Sequence, residues 1–221
     1  MVSSRRRFSG VGGRRRGFTL LESMMALIII ALGVLAFVDA QSAFTRSNTW
    51  SSQAATGMLL ANEVREMTRR MSRHDPVTGL VLVNGTTLQG WGIESNETTI
   101  DDLDDLDDLD GMSFGLGGTF PGPVDALGEI VPELELDGSP RTDEGQLVPL
   151  VGWRQAVTVE KVDPYNFSQA RADSYQQAAS GQWPSVGVDG FPLRVTVVVT
   201  YQALGETQAT EITRLTWIVP P

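Results

Sequence analysis

The residues of this chain that could do chemistry are carboxylates, and one of them stands in an unusual place. Glu22 is the only charged residue between Phe18 and Val38, a stretch that is otherwise mostly apolar. A helix of that length spans roughly 30 Å, the thickness of a bilayer's hydrocarbon core. A carboxylate inside such a helix costs roughly 2.5–3.5 kcal/mol. Because buried charges persist when they are paired, the sequence predicts a cationic partner for Glu22.

A second set of carboxylates lies in residues 101–110, where seven of ten residues are aspartate. Their mutual repulsion favours a solvated, extended or mobile segment, so we interpret the run as a charged surface loop. The alternative is a calcium site, since hard cations bind clustered carboxylates. The EF-hand pattern fails. Its sixth position is a glycine, and if that glycine is Gly111, the first ligand position falls on Leu106, whose side chain has no oxygen. An irregular calcium site would use Asp104, Asp105, Asp107, Asp108 and Asp110.

The composition argues against several other functions. The 221 residues include no cysteine and one histidine, His74, so the usual nucleophilic and zinc sites cannot be built. The formal net charge is −10; residues 1–17 hold six arginines and no acid, so the rest carries 11 basic against 27 acidic residues, near −16. This acidity argues against nucleic-acid binding. We therefore predict a protein that is not an enzyme, with calcium as its one candidate cofactor.

One long helix is needed to position Glu22. Residues 1–17 are a basic leader, residues 18–40 an apolar transmembrane half, and residues 41–73 an amphipathic half. The amphipathic half carries an apolar stripe at helical spacing: Leu60, Val64, Met67 and Met71. Asp75-Pro76 is expected to stop the helix. The arginines before the apolar run predict a cytoplasmic N-terminus and an extracytoplasmic remainder.

The stretch Gly17-Phe18-Thr19-Leu20-Leu21-Glu22, preceded by three arginines, resembles the processing site of type IV prepilins and pseudopilins. The resemblance implies that a prepilin peptidase cuts after Gly17 and N-methylates Phe18, and that Glu22 supports assembly. The new amine of one subunit would then neutralise Glu22 of its neighbour in an apolar bundle. The resemblance also implies an inner-membrane protein that joins other pilins or pseudopilins in a filament.

Residues 74–221 are expected to form a β-rich extracytoplasmic domain, giving a pilin-like α+β fold in which an antiparallel sheet packs on the amphipathic half of the helix. We predict a hairpin that turns at Asn84-Gly85. Further strands are expected at 133–136, 151–162, 193–202 and 208–219. Residues 163–190 are an insertion whose fold the sequence does not specify.

The favoured function is a minor type IV pilin-like subunit. Irregular insertions and an acidic loop would hinder the close packing of subunits along the filament shaft. The apolar segment resembles PilV-like minor pilins, and Leu106–Gly111 is similar to an acidic element of minor pilins of the mannose-sensitive-haemagglutinin type.

A type II secretion pseudopilin would share the same N-terminus. A membrane-tethered module that binds calcium or another ligand is a third function. A secretory signal peptide is a further alternative, since Ser4–Phe8 resembles a twin-arginine motif.

Overall fold

The computed structural model describes residues 18–221, with the exception of residues 96 and 183. The chain divides into two compact units, one ending at Trp50 and the other running from Ser51 to Pro221. A long N-terminal helix is followed by antiparallel β-sheets. This is a pilin-like α+β architecture and confirms the predicted fold class.

The long helix, α1, runs from Leu20 to Thr68. Thr19 caps its start, because the Thr19 hydroxyl accepts a hydrogen bond from the Glu22 N–H at 3.3 Å. The large apolar side chains from Leu20 to Val38 are all exposed. By length and composition this half of α1 is able to cross a membrane.

The helix ends five residues before the predicted end at residue 73. The N–H groups of Arg69 and Arg70 donate to carbonyls three residues back, each at 3.2 Å, so the last turn tightens and the α-helix stops. The Ser72 carbonyl then accepts a hydrogen bond from Leu106 N–H at 2.9 Å. Pairing with a segment 34 positions later thus ends the helix before Asp75-Pro76 is reached.

The described residues contain nine strands. The largest sheet has the order β3-β6-β8-β9, every pairing in it is antiparallel, and β7 pairs with the far end of β6. The pairs β1–β2 and β4–β5 form two small separate sheets. The strands are β1 (Val81–Val83), β2 (Thr87–Gln89), β3 (Ser113–Gly115), β4 (Thr142–Asp143), β5 (Gln146–Leu147), β6 (Trp153–Asp163), β7 (Asn166–Ala170), β8 (Leu193–Tyr201) and β9 (Thr210–Val219).

Most predicted strands are present within two residues of their expected ends. Asn84 and Gly85, at the turn of β1–β2, both have positive φ (54° and 74°), as a primed hairpin turn requires. The prediction of a strand at 133–136 is wrong, because this segment makes isolated bridges only, including one between Leu134 and Pro140. Proline lacks the N–H that a continuous ladder needs, which accounts for the interruption.

The insertion after β6 is held by a buried lysine. Lys161 is fully buried on the core-facing side of β6, and its ammonium donates to the carbonyl of Asp173 and, at 3.5 Å, to that of Tyr175. Burial lowers the pKa of Lys161 to about 8. The two carbonyls keep this charge solvated inside the protein, so Lys161 ties the insertion to the sheet.

The core lies between the second half of α1 and the main sheet. The predicted stripe is buried at Leu60, Val64 and Met67, while Met71 is half-buried at its edge. Valines from β6 and β8 join the same cluster: Val157, Val159, Val195, Val197 and Val199. The amphipathic half of the helix therefore packs on the sheet as predicted.

Gln155 connects three parts of this core. It is fully buried; its Nε2 donates to the carbonyls of Leu60 and Val124 at 2.9 Å, and its Oε1 accepts from the Val124 N–H at 2.8 Å. One side chain thereby joins α1, β6 and the loop at Val124.

The Gln155→Leu substitution is expected to lower the free energy of unfolding by about 2–4 kcal/mol, because the buried N–H and carbonyl of Val124 lose their partner. Urea unfolding of the purified protein, followed by tryptophan fluorescence, measures this loss. Gln146→Leu is the matched control, since Gln146 is an exposed strand glutamine. It should change stability by less than about 0.5 kcal/mol. Equal losses in the two variants would contradict the bridging role of Gln155.

Candidate functional site

The first candidate site is the N-terminal end of α1. Gly17 lies outside the described residues, while Phe18 precedes the helix and is 79% exposed. Glu22 lies in the first helical turn, where a carboxylate interacts favourably with the helix dipole. Among the residues that the structure describes, no basic side chain forms an ion pair with Glu22.

The second candidate site is the aspartate-rich segment, and its structure corrects the prediction of a solvated loop. The segment contains two short 3₁₀-helices, Ile100–Asp102 and Asp107–Leu109. Its three leucines are all in the core: Leu103, Leu106 and Leu109 are 6%, 1% and 0% exposed. Leu109 lies in the second 3₁₀-helix, whereas Leu103 follows the first helix and Leu106 precedes the second. Burial of the leucines outweighs the repulsion between the aspartates.

Several aspartates bond to the backbone of the segment itself. Asp108 Oδ2 accepts from the N–H groups of Asp104 and Asp105, each at 3.2 Å. Asp105 Oδ1 accepts from the N–H groups of Asp107 and Asp108, at 2.9 and 3.1 Å. These bonds satisfy backbone donors of the turns, and they fix the direction of each carboxylate.

The five predicted metal ligands do not meet at one point. Carboxylate oxygens of Asp105 and Asp108 lie within 4.8 Å of each other and of Glu94; a second group within the same distance combines Asp104, Asp108 and Glu97. Asp107 and Asp110 belong to neither group. Sequence reasoning missed Glu94 and Glu97. Their spacing of three residues, just before the aspartates, was the available signal.

Asp110 and Asp107 have other partners. Asp110 Oδ1 accepts from the Val159 N–H at 2.9 Å and so ties the segment to β6. Asp107 Oδ1 lies 3.1 Å from Nδ1 of His74, and both side chains are buried. Burial, reinforced by the charge of Arg73, lowers the pKa of His74 to about 4. The neutral ring thus holds Asp107 through a hydrogen bond.

Burial raises the pKa of the clustered carboxyls. The pKa of Asp108 is raised to about 7, first by burial and then by the charge of Asp105. The pKa values of Asp105 and Glu94 are each raised to about 8, again by burial first and then by neighbouring acids. These carboxyls therefore keep their protons up to near neutral pH unless a cation replaces them.

Comparison with known families gives one match. Residues 12–38 match the family described as the prokaryotic N-terminal methylation motif. No curated protein and no solved structure matches the chain. The motif is typical of structural pilin-type subunits, and it implies processing by a prepilin peptidase and assembly with other pilin subunits. With its membrane-length apolar helix, the chain therefore carries the signal of a type IV pilin-like or pseudopilin precursor.

Proposed function

We propose that this chain is a minor type IV pilin-like subunit, cut after Gly17, N-methylated at Phe18 and assembled into a pilus or pilus-like filament through α1. The observation that carries the proposal is the N-terminal methylation motif, which continues directly into a 49-residue helix. The first half of that helix exposes its apolar side chains, and its second half is part of a domain core. An anchor that only tethers a domain needs no such processing signal.

The charge pattern supports one membrane orientation. Arg14, Arg15 and Arg16 precede the apolar segment, so the leader faces the cytoplasm and the β-rich domain is extracytoplasmic. The subunit waits in the inner membrane as a single-pass protein. On assembly its exposed apolar half moves from lipid into a bundle of like helices.

Glu22 gives this assembly its register. Cleavage after Gly17 creates an amine at Phe18, four residues before the carboxylate. In the filament, the amine of one subunit pairs with Glu22 of its neighbour, so that neither charge is buried alone.

The irregular part of the domain supports a minor rather than a major subunit. Between β3 and β6 the chain forms only two two-residue strands and isolated bridges. A bulky region of this kind suits a subunit present in few copies, as in PilV-like or mannose-sensitive-haemagglutinin-type minor pilins. A type II secretion pseudopilin is the second candidate, because the same motif occurs in both classes.

The N-terminus of the protein recovered from cells tests the proposal. We expect a chain that begins at Phe18 and carries one added methyl group, measured by intact mass and N-terminal sequencing. A Gly17→Leu variant should remain uncut and provides the reference for the precursor. A wild-type chain that begins at Met1, or at Gln41 after signal-peptide cleavage, would contradict the proposal. For the correctly processed chain, recovery in sheared surface filaments distinguishes a pilus from a secretion pseudopilus.

A further inference from the structure

Five carboxylates, three from the aspartate-rich segment and two from the turn before it, form two groups that share Asp108. One group contains Glu94 and Asp105, and the other contains Glu97 and Asp104. Within the described part of the chain, none of the five forms an ion pair. The described residues thus bring five carboxyl groups together with no basic side chain in an ion pair with any of them.

The environment of Asp108 points independently to a ligand. Asp108 is fully buried, and its Oδ2 is held by the two backbone N–H groups described above. Among the described residues, its buried Oδ1 has no hydrogen-bond partner, and the same is true of Oε2 of Glu94. A buried carboxylate oxygen without a donor costs stability unless a cation or proton neutralises it. The backbone therefore orients Asp108 through one carboxylate oxygen, and the described residues offer no donor to the other.

The donor set selects the kind of cation. All five groups are carboxylates, which suit hard cations, and His74, the only histidine, is bonded to Asp107. Calcium takes six to eight oxygen ligands in flexible geometry, whereas magnesium demands a near-ideal octahedron of about six. An irregular cluster of side chains from two turns, Glu94–Glu97 and Asp104–Asp108, meets the requirement of calcium better.

We propose that this segment binds calcium at Asp108, which contributes to two groups of carboxylate ligands, one with Glu94 and Asp105 and the other with Glu97 and Asp104. The ion joins the Glu94–Glu97 turn to the aspartate-rich segment. That segment is itself bonded, through the Leu106 N–H, to the carbonyl of Ser72, four residues beyond the end of α1. Calcium binding therefore fixes a surface turn onto the core next to the helix end. This site is independent of the proposed role in a filament.

Calcium titration of the full chain tests the site. The protein is purified in detergent, treated with a chelator and dialysed. We expect CaCl₂ at about 100 times Kd to raise Tm by roughly 5–10 °C. Isothermal titration calorimetry should show saturable calcium binding, and MgCl₂ at the same concentration should raise Tm far less. The absence of both a calcium-dependent Tm rise and binding heat, or an equal effect of magnesium, would overturn the proposal.

Variants locate the site within the segment. Asp108→Asn preserves the shape of the side chain and should weaken calcium binding by at least tenfold, because Asp108 belongs to both groups. Glu97→Gln, at a less buried position, should also weaken binding, and it keeps the test decisive if Asp108→Asn does not fold. Asp101→Asn is the matched control: Asp101 is an exposed aspartate of the same run and lies outside both groups. A control variant that loses as much affinity as Asp108→Asn would overturn the assignment.

Discussion

Replacing Leu109 with alanine is expected to lower the free energy of unfolding by about 2–5 kcal/mol, the range for deleting a buried leucine side chain. Leu109 is 0% exposed and lies in the same cluster as Leu60 and Val64 of α1. The cavity would open between the 3₁₀-helix Asp107–Leu109 and the helix that the segment covers. This prediction distinguishes a core element from the solvated loop that the charge pattern suggested.

Urea unfolding of the full chain, followed by tryptophan fluorescence, measures the effect. The unfolding is done once in chelator and once in excess calcium, so that loss of packing is separated from loss of the ion. Leu136→Ala is the matched control, because Leu136 is fully exposed and its replacement should cost less than about 0.5 kcal/mol. Equal stabilities of the two variants would contradict the core position of Leu109 and favour a solvated loop at residues 101–110.

Replacing Glu22 with alanine is expected to leave cleavage and membrane insertion intact and to reduce incorporation into filaments by about a hundredfold or more. The reason is that removing one member of a buried charge pair costs about 3–5 kcal/mol. The neighbour's amine at Phe18 would remain charged inside an apolar bundle. The start of α1 should survive, because its cap is the hydroxyl of Thr19 rather than the carboxylate of Glu22.

Quantitative immunoblotting of sheared filaments against the membrane fraction measures incorporation. Asp39→Ala is the matched control, since Asp39 is a carboxylate of the same helix at the end of its apolar half. Glu22→Gln keeps the size of the side chain and removes its charge. It should reduce incorporation as much as Glu22→Ala does, because an amide cannot neutralise the amine. Normal incorporation of Glu22→Ala would contradict the pairing of Glu22 with a neighbour's amine, whereas a wild-type chain confined to the membrane fraction would favour a tethered module.

The elements that sequence reasoning predicted well are those with a single strong periodicity. The apolar run after Gly17 and the stripe through Leu60 and Val64 each have one helical interpretation, and the structure has one continuous helix there. The alternating valines of β8 and the Asn84-Gly85 turn likewise define strands and a hairpin from local pattern alone. The motif around Glu22 is local as well, and its match to a known family covers those residues.

The errors arose where a contact distant in sequence decides the structure. The aspartates dominated the interpretation of residues 101–110, whereas the leucine at every third position determines which side is buried. The helix ends at Thr68 because Ser72 pairs with the segment at Leu106, which no pattern within the helix indicates. Glu94 and Glu97 approach Asp108 only after the chain has folded back on itself, so sequence spacing alone could not assign them.

The polar residues on the inner side of β6 show a further limit. Gln155 and Lys161 share the parity of Trp153, Val157 and Val159, so alternation alone predicts that all five are buried. Whether such residues are tolerated depends on partners elsewhere in the chain. The carbonyls of Leu60, Val124 and Asp173 supply those partners, and none of them is near in sequence.

Because α1 packs against β8, the core of the domain can form only late in translation. Translation delivers the N-terminal helix first, whereas the strands that cover Leu60 and Val64 include β8, which begins at Leu193. Until that strand emerges, the amphipathic half of the helix is an uncovered apolar stripe beside an anchor already able to enter the membrane. The nascent chain is thus vulnerable to aggregation and proteolysis until its synthesis is nearly complete, when the β8–β9 hairpin covers the stripe.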